Sequence, residues 1–347
     1  MRIGVLTGGG DCPGLNAVIR AVVRKGIFHY GDEFVGFIEG WRGVVEDKTM
    51  PLTITTVSGI LQLGGTILRT SRTNPRKTEG AIDKCLATIA KNKLDALITI
   101  GGDDTQGVAN ALIEKGIKCV GVPKTIDNDL SGTDVCFGFD TAVGIATEAI
   151  DRLHSTAEAH NRVIVCEVMG RDAGWIALYS GIAGGADAIL VPEKPIDLDE
   201  VCAIVKERHA RGKFFSIVVV AEGAKLPAKD VQATYGGKVD EFGHARLSGI
   251  ANIVADEIEK RTGFETRSVN LGHTQRGGTP SAYDRMLATR YGSAAIDLVH
   301  QGKFGRLVVL RGTEITDIPL KDAIAKTRTV GDDLLALGKG LQPIIKK

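Results

Sequence analysis

The stretch "ALITIGGDDTQGVANALIEK", Ala96 to Lys115, decides the fold. It opens on an aliphatic run with no polar alternation, which suits a short strand covered on both faces. Two glycines then break the run, and from Gln106 to Lys115 apolar residues recur at helical spacing. Strand, glycine turn and helix in direct succession form half of a βαβ unit. The turn itself, "GGDDT", raises a chemical question. A glycine-rich turn between a strand and a helix is a good place to hold phosphate, yet this one carries two adjacent carboxylates, Asp103 and Asp104.

Outward from this stretch the same pattern repeats. "RIGVL" precedes a helical pattern over Leu15 to Phe28, "KCVGV" one over Thr141 to Ala159, and "VIVCEV" one over Gly174 to Ile182. "FSIVVV", "SVNL" before Ala282 to Val299, and "RLVVL" continue it. Strands this apolar, alternating with helices, predict an α/β protein with parallel sheets and flanking helices. Glycines and charged residues gather just after the strands, in "TGGGDCPG", "GGDDT", "PKTIDND", "MGRDAG", "EGA" and "GHTQRGG". The carboxyl ends of strands are where open α/β sheets bind ligands.

The 347 residues, 43% hydrophobic and 24% charged, are enough for two domains with buried cores. A net charge of +1 without long runs of like charge argues against a nucleic acid or an anionic membrane as partner. The N-terminal "MRIGVLTGGG" enters a strand at once, and no apolar run is long enough to span a bilayer, so a cytoplasmic protein is expected. Six scattered cysteines without a C-x-x-C pair are expected as reduced thiols. Lys225 to Arg246 is polar and aperiodic, which suits a surface insertion or hairpin.

Several residue groups could carry chemistry, and each has a structural alternative. "GGGDCPG" has neither dinucleotide-fold nor P-loop spacing, but its amides and the following helix N-terminus could hold an anion; it could also be a plain tight turn. Asp103 could hold Mg²⁺, which takes one or two carboxylates and completes its shell with phosphate oxygens and water. It could equally belong to an Asx turn or cap a helix. In "PKTIDND", an extended backbone would turn Asp127 and Asp129 to one side. One of them could act as a general base on a sugar hydroxyl while Lys124 and Thr125 hold a phosphate; turn chemistry is the alternative. Arg72, Arg162, Arg171, Arg267 and Arg276 suit bidentate phosphate contacts or a solvated surface. Glu222 ends so apolar a strand that it needs a partner, and sugar hydroxyls are suitable donors.

Taken together, "TGGGDCPGLNAVIR", "GGD", "TIDND", "GFDTA", "EVMGR", "AGGA", "VVAEG" and "LGHTQRGGTPSAYDR" resemble the 6-phosphofructokinases of the bacterial, group A type, from about residue 2 to residue 310. The resemblance implies two Rossmann-like α/β/α sandwich domains with the active site in the cleft between them. A large donor-binding domain would span residues 1–138 plus about 276–328, and a small fructose 6-phosphate domain residues 139–275 plus about 329–347. Gly10, Arg72, Gly102, Asp103, Asp104, Thr105 and Lys124 would hold the phosphoryl donor, Asp103 through Mg²⁺. Asp127 would take the proton from the C1 hydroxyl of fructose 6-phosphate, with Asp129 close by, and Thr125, Arg72 and Arg171 would stabilise the moving phosphoryl group. Met169, Gly170, Glu222, His273 and Arg276 would grip the sugar phosphate. Arg162 and Arg267 match two arginines that reach this site from a neighbouring subunit, so a homo-oligomer, a dimer or tetramer, is implied.

The family divides over its donor. ATP-dependent members have glycine where Asp104 stands, and many have glycine where Lys124 stands; pyrophosphate-dependent members carry the Asp and Lys pair. A carboxylate at position 104 would lie where the α-phosphate of ATP passes. Two unit charges 4 Å apart repel by about 4 kcal/mol at an effective dielectric near 20, enough to select a donor even when halved. Lys124 would give pyrophosphate a cation where a short donor lacks adenosine contacts. The resemblance therefore implies pyrophosphate as donor, with ATP or both donors as the alternative, and a non-catalytic sugar-phosphate sensor as a reading of another class. Arg20, Arg24, Arg211 and Lys213 match a basic effector site, whereas His154, Phe214 and Phe215 stand where that site has basic residues, so allosteric control is expected to be weak or absent.

Overall fold

The structure, a computed structural model, describes residues 1–227 and 249–341. The insertion expected over Lys225 to Arg246 lies, beyond Pro227, outside the described residues. Eleven described strands follow one another as β1 (Arg2–Thr7), β2 (Glu33–Phe37), β3 (Thr49–Leu52), β4 (Ala96–Gly101), β5 (Cys119–Pro123), β6 (Val163–Val168), β7 (Ala188–Leu190), β8 (Ser216–Ala221), β9 (Thr266–Asn270), β10 (Arg306–Arg311) and β11 (Glu314–Pro319). Between and after them run α1 (Leu15–Lys25), α2 (Trp41–Glu46), α3 (Ala81–Lys91), α4 (Asp103–Glu114), α5 (Phe139–His160), α6 (Trp175–Ala183), α7 (Leu198–Ala210), α8 (Ile250–Thr262), α9 (Ala282–His300), α10 (Leu320–Ala323) and α11 (Asp332–Gly340).

The chain divides into two compact units. The first is Met1–Thr141 with Arg276–Thr327, and the second Ala142–Gln275 with Arg328–Lys347. The first unit holds a seven-stranded sheet in the order β11-β10-β5-β4-β1-β2-β3. Its five inner strands are parallel, and β3 and β11 close the edges in antiparallel fashion. Every residue of β4 and β5 is buried, because helices cover both faces. One face is filled by Leu6, Leu97, Leu307 and Val309 against Val108 and Leu112 of α4. In the second unit β7-β8-β6-β9 are all parallel, and Val163, Val165, Val218 and Val220 pack against Val201 and Val205 of α7 and Val254 and Ile258 of α8.

Four strands were not expected from the sequence: β2, β3, β7 and β11. Three of them are sheet edges, short or of mixed polarity, so they carry little of the continuous apolar signal that marks the central strands. The first helix ends at Lys25 and passes into a π-helical turn over Gly26–Tyr30. A side chain at Gly26 would come within 2.2 Å of the Phe34 ring, so the turn and β2 are in close contact. All six cysteines are free and buried. Burial pushes the Cys12, Cys85 and Cys119 thiols up to about 12, which keeps them protonated. Among the described residues no helix is long and apolar enough to cross a membrane.

Candidate active site

In the first unit the chain leaves β1 toward β2 on one side of the sheet, while β4 lies on the other side of β1. The strand order reverses there, and the carboxyl ends of β1 and β4 frame the crevice that such a reversal opens. Three segments meet at these ends: Gly8–Gly10 after β1, Gly102 with the first turn of α4 after β4, and Lys124–Asp129 after β5. Backbone hydrogen bonds join them, from the Gly8 amide to the Ile100 carbonyl at 2.9 Å and from the Lys124 amide to the Gly101 carbonyl at 3.1 Å. The glycines are required by Thr105. A Cβ at Gly8 or at Gly101 would stand 2.5 Å from its hydroxyl oxygen.

Helix α4 begins at Asp103, three residues earlier than the periodicity from Gln106 suggests, with Gly102 as N-cap. Asp103 and Asp104 are thus neither caps nor turn residues but the first two residues of the helix, where its dipole stabilises carboxylates. Asp103 is exposed; Asp104 is half-buried and accepts a hydrogen bond from Asn74 Nδ2 at 3.3 Å. Beneath them the buried Gln106 donates to the carbonyls of Thr99, Gly101 and Val122 and accepts from the Thr99 hydroxyl, which ties β4 to β5.

Lys124 is 4% exposed, and its ammonium donates to the Gly10 carbonyl at 2.5 Å. Burial lowers its pKa; nearby Arg276 acts the same way, while Cys12, Asp127 and Asp11 oppose it. An ammonium has three protons, and Gly10 takes one. The Arg276 guanidinium donates to the Asp11 carbonyl at 3.2 Å, and a Cβ at Gly10 would stand 2.7 Å from its Nη1. The structure therefore sets Arg276 against the Gly10–Asp11 backbone of the first unit. Arg72 is exposed in a segment held to the same turn, for the Thr70 hydroxyl donates to the Gly9 carbonyl at 2.5 Å.

The "TIDND" segment corrects one expectation. Thr125, Asp127 and Asp129 are all half-buried between the buried Ile126, Asn128 and Leu130, the alternation an extended chain would give. The backbone is not extended, however: it turns at Ile126–Asp127, and Asn128 sits at φ 53 in the left-handed region that asparagine tolerates. Two bonds fix it there, as Asn128 Oδ1 accepts from the Cys136 amide at 2.9 Å and the Thr125 hydroxyl accepts from the Asp127 amide at 3.0 Å. The asparagine thus shapes the loop that carries the two acids.

In the second unit, Met169, Gly170 and Arg171 follow β6, Glu222 follows β8, and His273 follows β9, all at carboxyl ends. These loops are hydrogen-bonded to each other. The Glu222 amide donates to Val168, Gly223 to Gly170 at 3.0 Å, and Leu271 to Glu167, while the Met169 amide donates to the buried Gln275 at 3.3 Å. A Cβ at Gly223 would overlap the Arg171 carbonyl oxygen at 1.7 Å, so only glycine allows this approach. Arg171 and Glu222 are half-buried and His273 is exposed.

Arg162 and Arg267 lie elsewhere. Arg162 precedes the first residue of β6, and Arg267 pairs in register with Ile164, so both sit at the amino end of the sheet. A six-residue strand, about 20 Å long, separates them from Arg171. Both guanidiniums contact Glu265, at 2.7 and 2.6 Å, and the buried Nε of Arg162 has no hydrogen-bond partner among the described residues.

Sequence reasoning missed the residues that hold these loops in place. Glu167, the next-to-last residue of β6 and 2% exposed, accepts from the amides of Gly249 and Ala251 and from Asn270 Nδ2, so it caps α8 and anchors the end of β9. The rule that a carboxylate in an apolar strand needs a partner, applied to Glu222, holds with more force for Glu167 in "VIVCEV". Asn16, Asn74 and Gln106 had no such signal, because their partners lie far along the chain, in a loop or in α4, or on a neighbouring strand.

Comparison with known proteins identifies the family. Residues 2–299 match the family model described as Phosphofructokinase. The chain is 59% identical, over 95% of its length and 96% of the relative, to a protein of Streptomyces coelicolor named pyrophosphate–fructose 6-phosphate 1-phosphotransferase. It is 54% identical, over 96% of its length and 97% of the relative, to a protein of the same organism named ATP-dependent 6-phosphofructokinase 3. Among solved structures, a phosphofructokinase of Pichia pastoris superposes with a TM-score of 0.82 at 31% identity; 98% of this chain is covered, and it spans 36% of that longer chain. The chain belongs to the phosphofructokinase family.

Proposed function

We propose that the chain is a Mg²⁺-dependent 6-phosphofructokinase that uses pyrophosphate, moving a phosphoryl group to the C1 hydroxyl of fructose 6-phosphate. The observation that carries the choice of donor is the presence of both Asp104 and Lys124 at the donor turns, one in the first turn of α4 and the other buried against Gly10. Asp104 repels a donor that continues past its second phosphate, and Lys124 attracts one that ends there. Relatives named for either donor are more than half identical to the chain, so overall similarity does not choose between them.

In this reading the first unit holds the donor, and residues of the second unit together with Arg276 of the first hold the sugar phosphate. Asp127, with Asp129 beside it, takes the proton of the C1 hydroxyl as that oxygen attacks the terminal phosphorus of pyrophosphate. The bridging P–O bond breaks and phosphate leaves. Thr125, Arg72 and Arg171 stabilise charge on the moving group, and Met169, Gly170, Glu222, His273 and Arg276 orient the sugar phosphate. Arg162 and Arg267 act on a neighbouring subunit's site in a dimer or tetramer, which accounts for their place at the far end of the sheet. The protein works in the cytoplasm.

Among the described residues no cluster of three or more His, Cys, Asp or Glu side chains could cage a metal. An aspartate at the donor turn suits Mg²⁺, which takes one or two carboxylates together with phosphate oxygens and keeps several waters. Asp103, exposed at the head of α4, would hold it. Held there, Mg²⁺ would offset the negative charge that develops on the phosphate oxygens.

A second reading, ATP or both donors, is favoured by the 54% identity to a protein named ATP-dependent. The reverse reaction separates the two. Phosphorus NMR of the protein with fructose 1,6-bisphosphate, Mg²⁺ and inorganic phosphate is expected to show pyrophosphate appearing; silence there, with ATP formed once ADP is added, would establish the second reading instead.

A further inference from the structure

We infer that Asn74 is a positioning residue for donor choice, holding the Asp104 carboxylate where it discriminates between a short and a long donor. The inference rests on the role given to Asp104 above and concerns what keeps that side chain in place. Asp104 is the second residue of α4 and only half-buried, so the place of its carboxylate depends on the bonds it makes, among them the one from Asn74. A repulsive charge selects between ligands only if it stays in the path of one of them.

Asn74 is 8% exposed and is oriented by its own backbone duty. It caps the short 3₁₀ turn Pro75–Lys77, its Oδ1 accepting from the Arg76 amide at 3.1 Å. Because the side-chain amide is planar, committing the oxygen to Arg76 fixes the direction of the nitrogen, and Nδ2 then donates to Asp104 Oδ1 at 3.3 Å. Pro75 as the first residue of the turn restricts φ, and Asn74 as the residue before proline is confined to the extended conformation it adopts, φ −117 and ψ 99. The segment is tied to the donor turn by Thr70 and Gly9. An amide, unlike a lysine or arginine, fixes a carboxylate without cancelling its charge, which is what exclusion by repulsion requires.

The test compares Asn74→Ser with Asp104→Gly and with the double variant, reading kcat/KM for pyrophosphate and for ATP at saturating fructose 6-phosphate. Serine keeps the cap on Arg76 but is too short to reach Asp104; threonine offers the same comparison if the serine variant does not fold. The pyrophosphate-to-ATP preference is expected to fall about tenfold in Asn74→Ser, the loss of one hydrogen bond to a charged group. The KM for fructose 6-phosphate stays unchanged, and Asn74→Ser has no further effect on the preference in the Asp104→Gly background. If Asp104→Gly shifts the preference and Asn74→Ser does not, or if the serine effect persists without Asp104, the inference is overturned. If Asp104→Gly itself leaves the preference unchanged, the underlying reading of Asp104 fails.

Discussion

Lys124, at the end of β5, donates its ammonium proton to the carbonyl of Gly10, which lies beyond β1, across the whole width of β4 and at 2.5 Å. A cation 4% exposed with one backbone acceptor is an expensive thing to bury, and its lowered pKa expresses that expense. On the proposed reading, a ligand that supplies negative charge offsets that cost. Lys124→Met, similar in volume and uncharged, is expected to leave the melting temperature unchanged or raised. It should cut kcat/KM for pyrophosphate by roughly 10- to 100-fold, the equivalent of one charge-assisted hydrogen bond. Unimpaired pyrophosphate use would remove Lys124 from the donor site.

Asp127 stands in a turn pinned by Thr125 and Asn128, so removing its carboxylate should not disturb the loop. Asp127→Ala is expected to lower kcat by about 10² to 10⁴, the usual contribution of a general base, with the KM of fructose 6-phosphate little changed. Steady-state kinetics would show it. A variant with near-normal kcat would mean that another group takes the C1 proton.

Gly223 permits the backbone contact between the loops after β6 and β8. In Gly223→Ala the methyl group must push the Arg171 carbonyl away. Overpacking of this kind destabilises by about 1–3 kcal/mol, and it displaces Arg171 and Glu222 together. A raised KM for fructose 6-phosphate with a lowered melting temperature is expected; if both parameters match the parent, the loops do not depend on that approach.

Asp284 on α9 is fully buried, with Oδ2 accepting from the Thr141 amide at 2.8 Å and from its hydroxyl at 2.5 Å. Burial raises its pKa from 3.8 to about 6; the bonds from Thr141 oppose the shift and the charge of Asp140 adds to it. The folded protein thus binds a proton more tightly than the unfolded chain does. The stabilisation from that proton is fully present below about pH 4 and is lost as pH rises through about 6, a change of about 3 kcal/mol. Asp284→Asn should therefore flatten the fall in urea midpoint between pH 4.5 and about 7 that the parent shows on this account. An equal slope in both proteins would place the titration elsewhere.

The central strands were legible because residues covered on both faces leave a continuous apolar run, as in β4, β5, β6 and β8. Edge strands such as β3 and β7 were not, since with one neighbour each they need little apolar surface. Candidate site residues stood out where chemistry gathers in one short segment, as in "GGDDT" and "TIDND". Their geometry did not. That Asp103 and Asp104 belong inside the first turn of a helix, or that Asn128 bends the acid loop, depends on backbone angles that polar residues in a turn leave open. The contact between Asn74 and Asp104 was less accessible still, because it is set by the path of the loop after Arg72.

The central claim is that this site takes pyrophosphate. Its most direct test is the initial rate of fructose 1,6-bisphosphate formation by the unmodified protein with fructose 6-phosphate, Mg²⁺ and either pyrophosphate or ATP. The account predicts a kcat/KM for pyrophosphate at least about tenfold above that for ATP, the discrimination expected from even part of the Asp104 repulsion. Efficient turnover with ATP and poor turnover with pyrophosphate would contradict it.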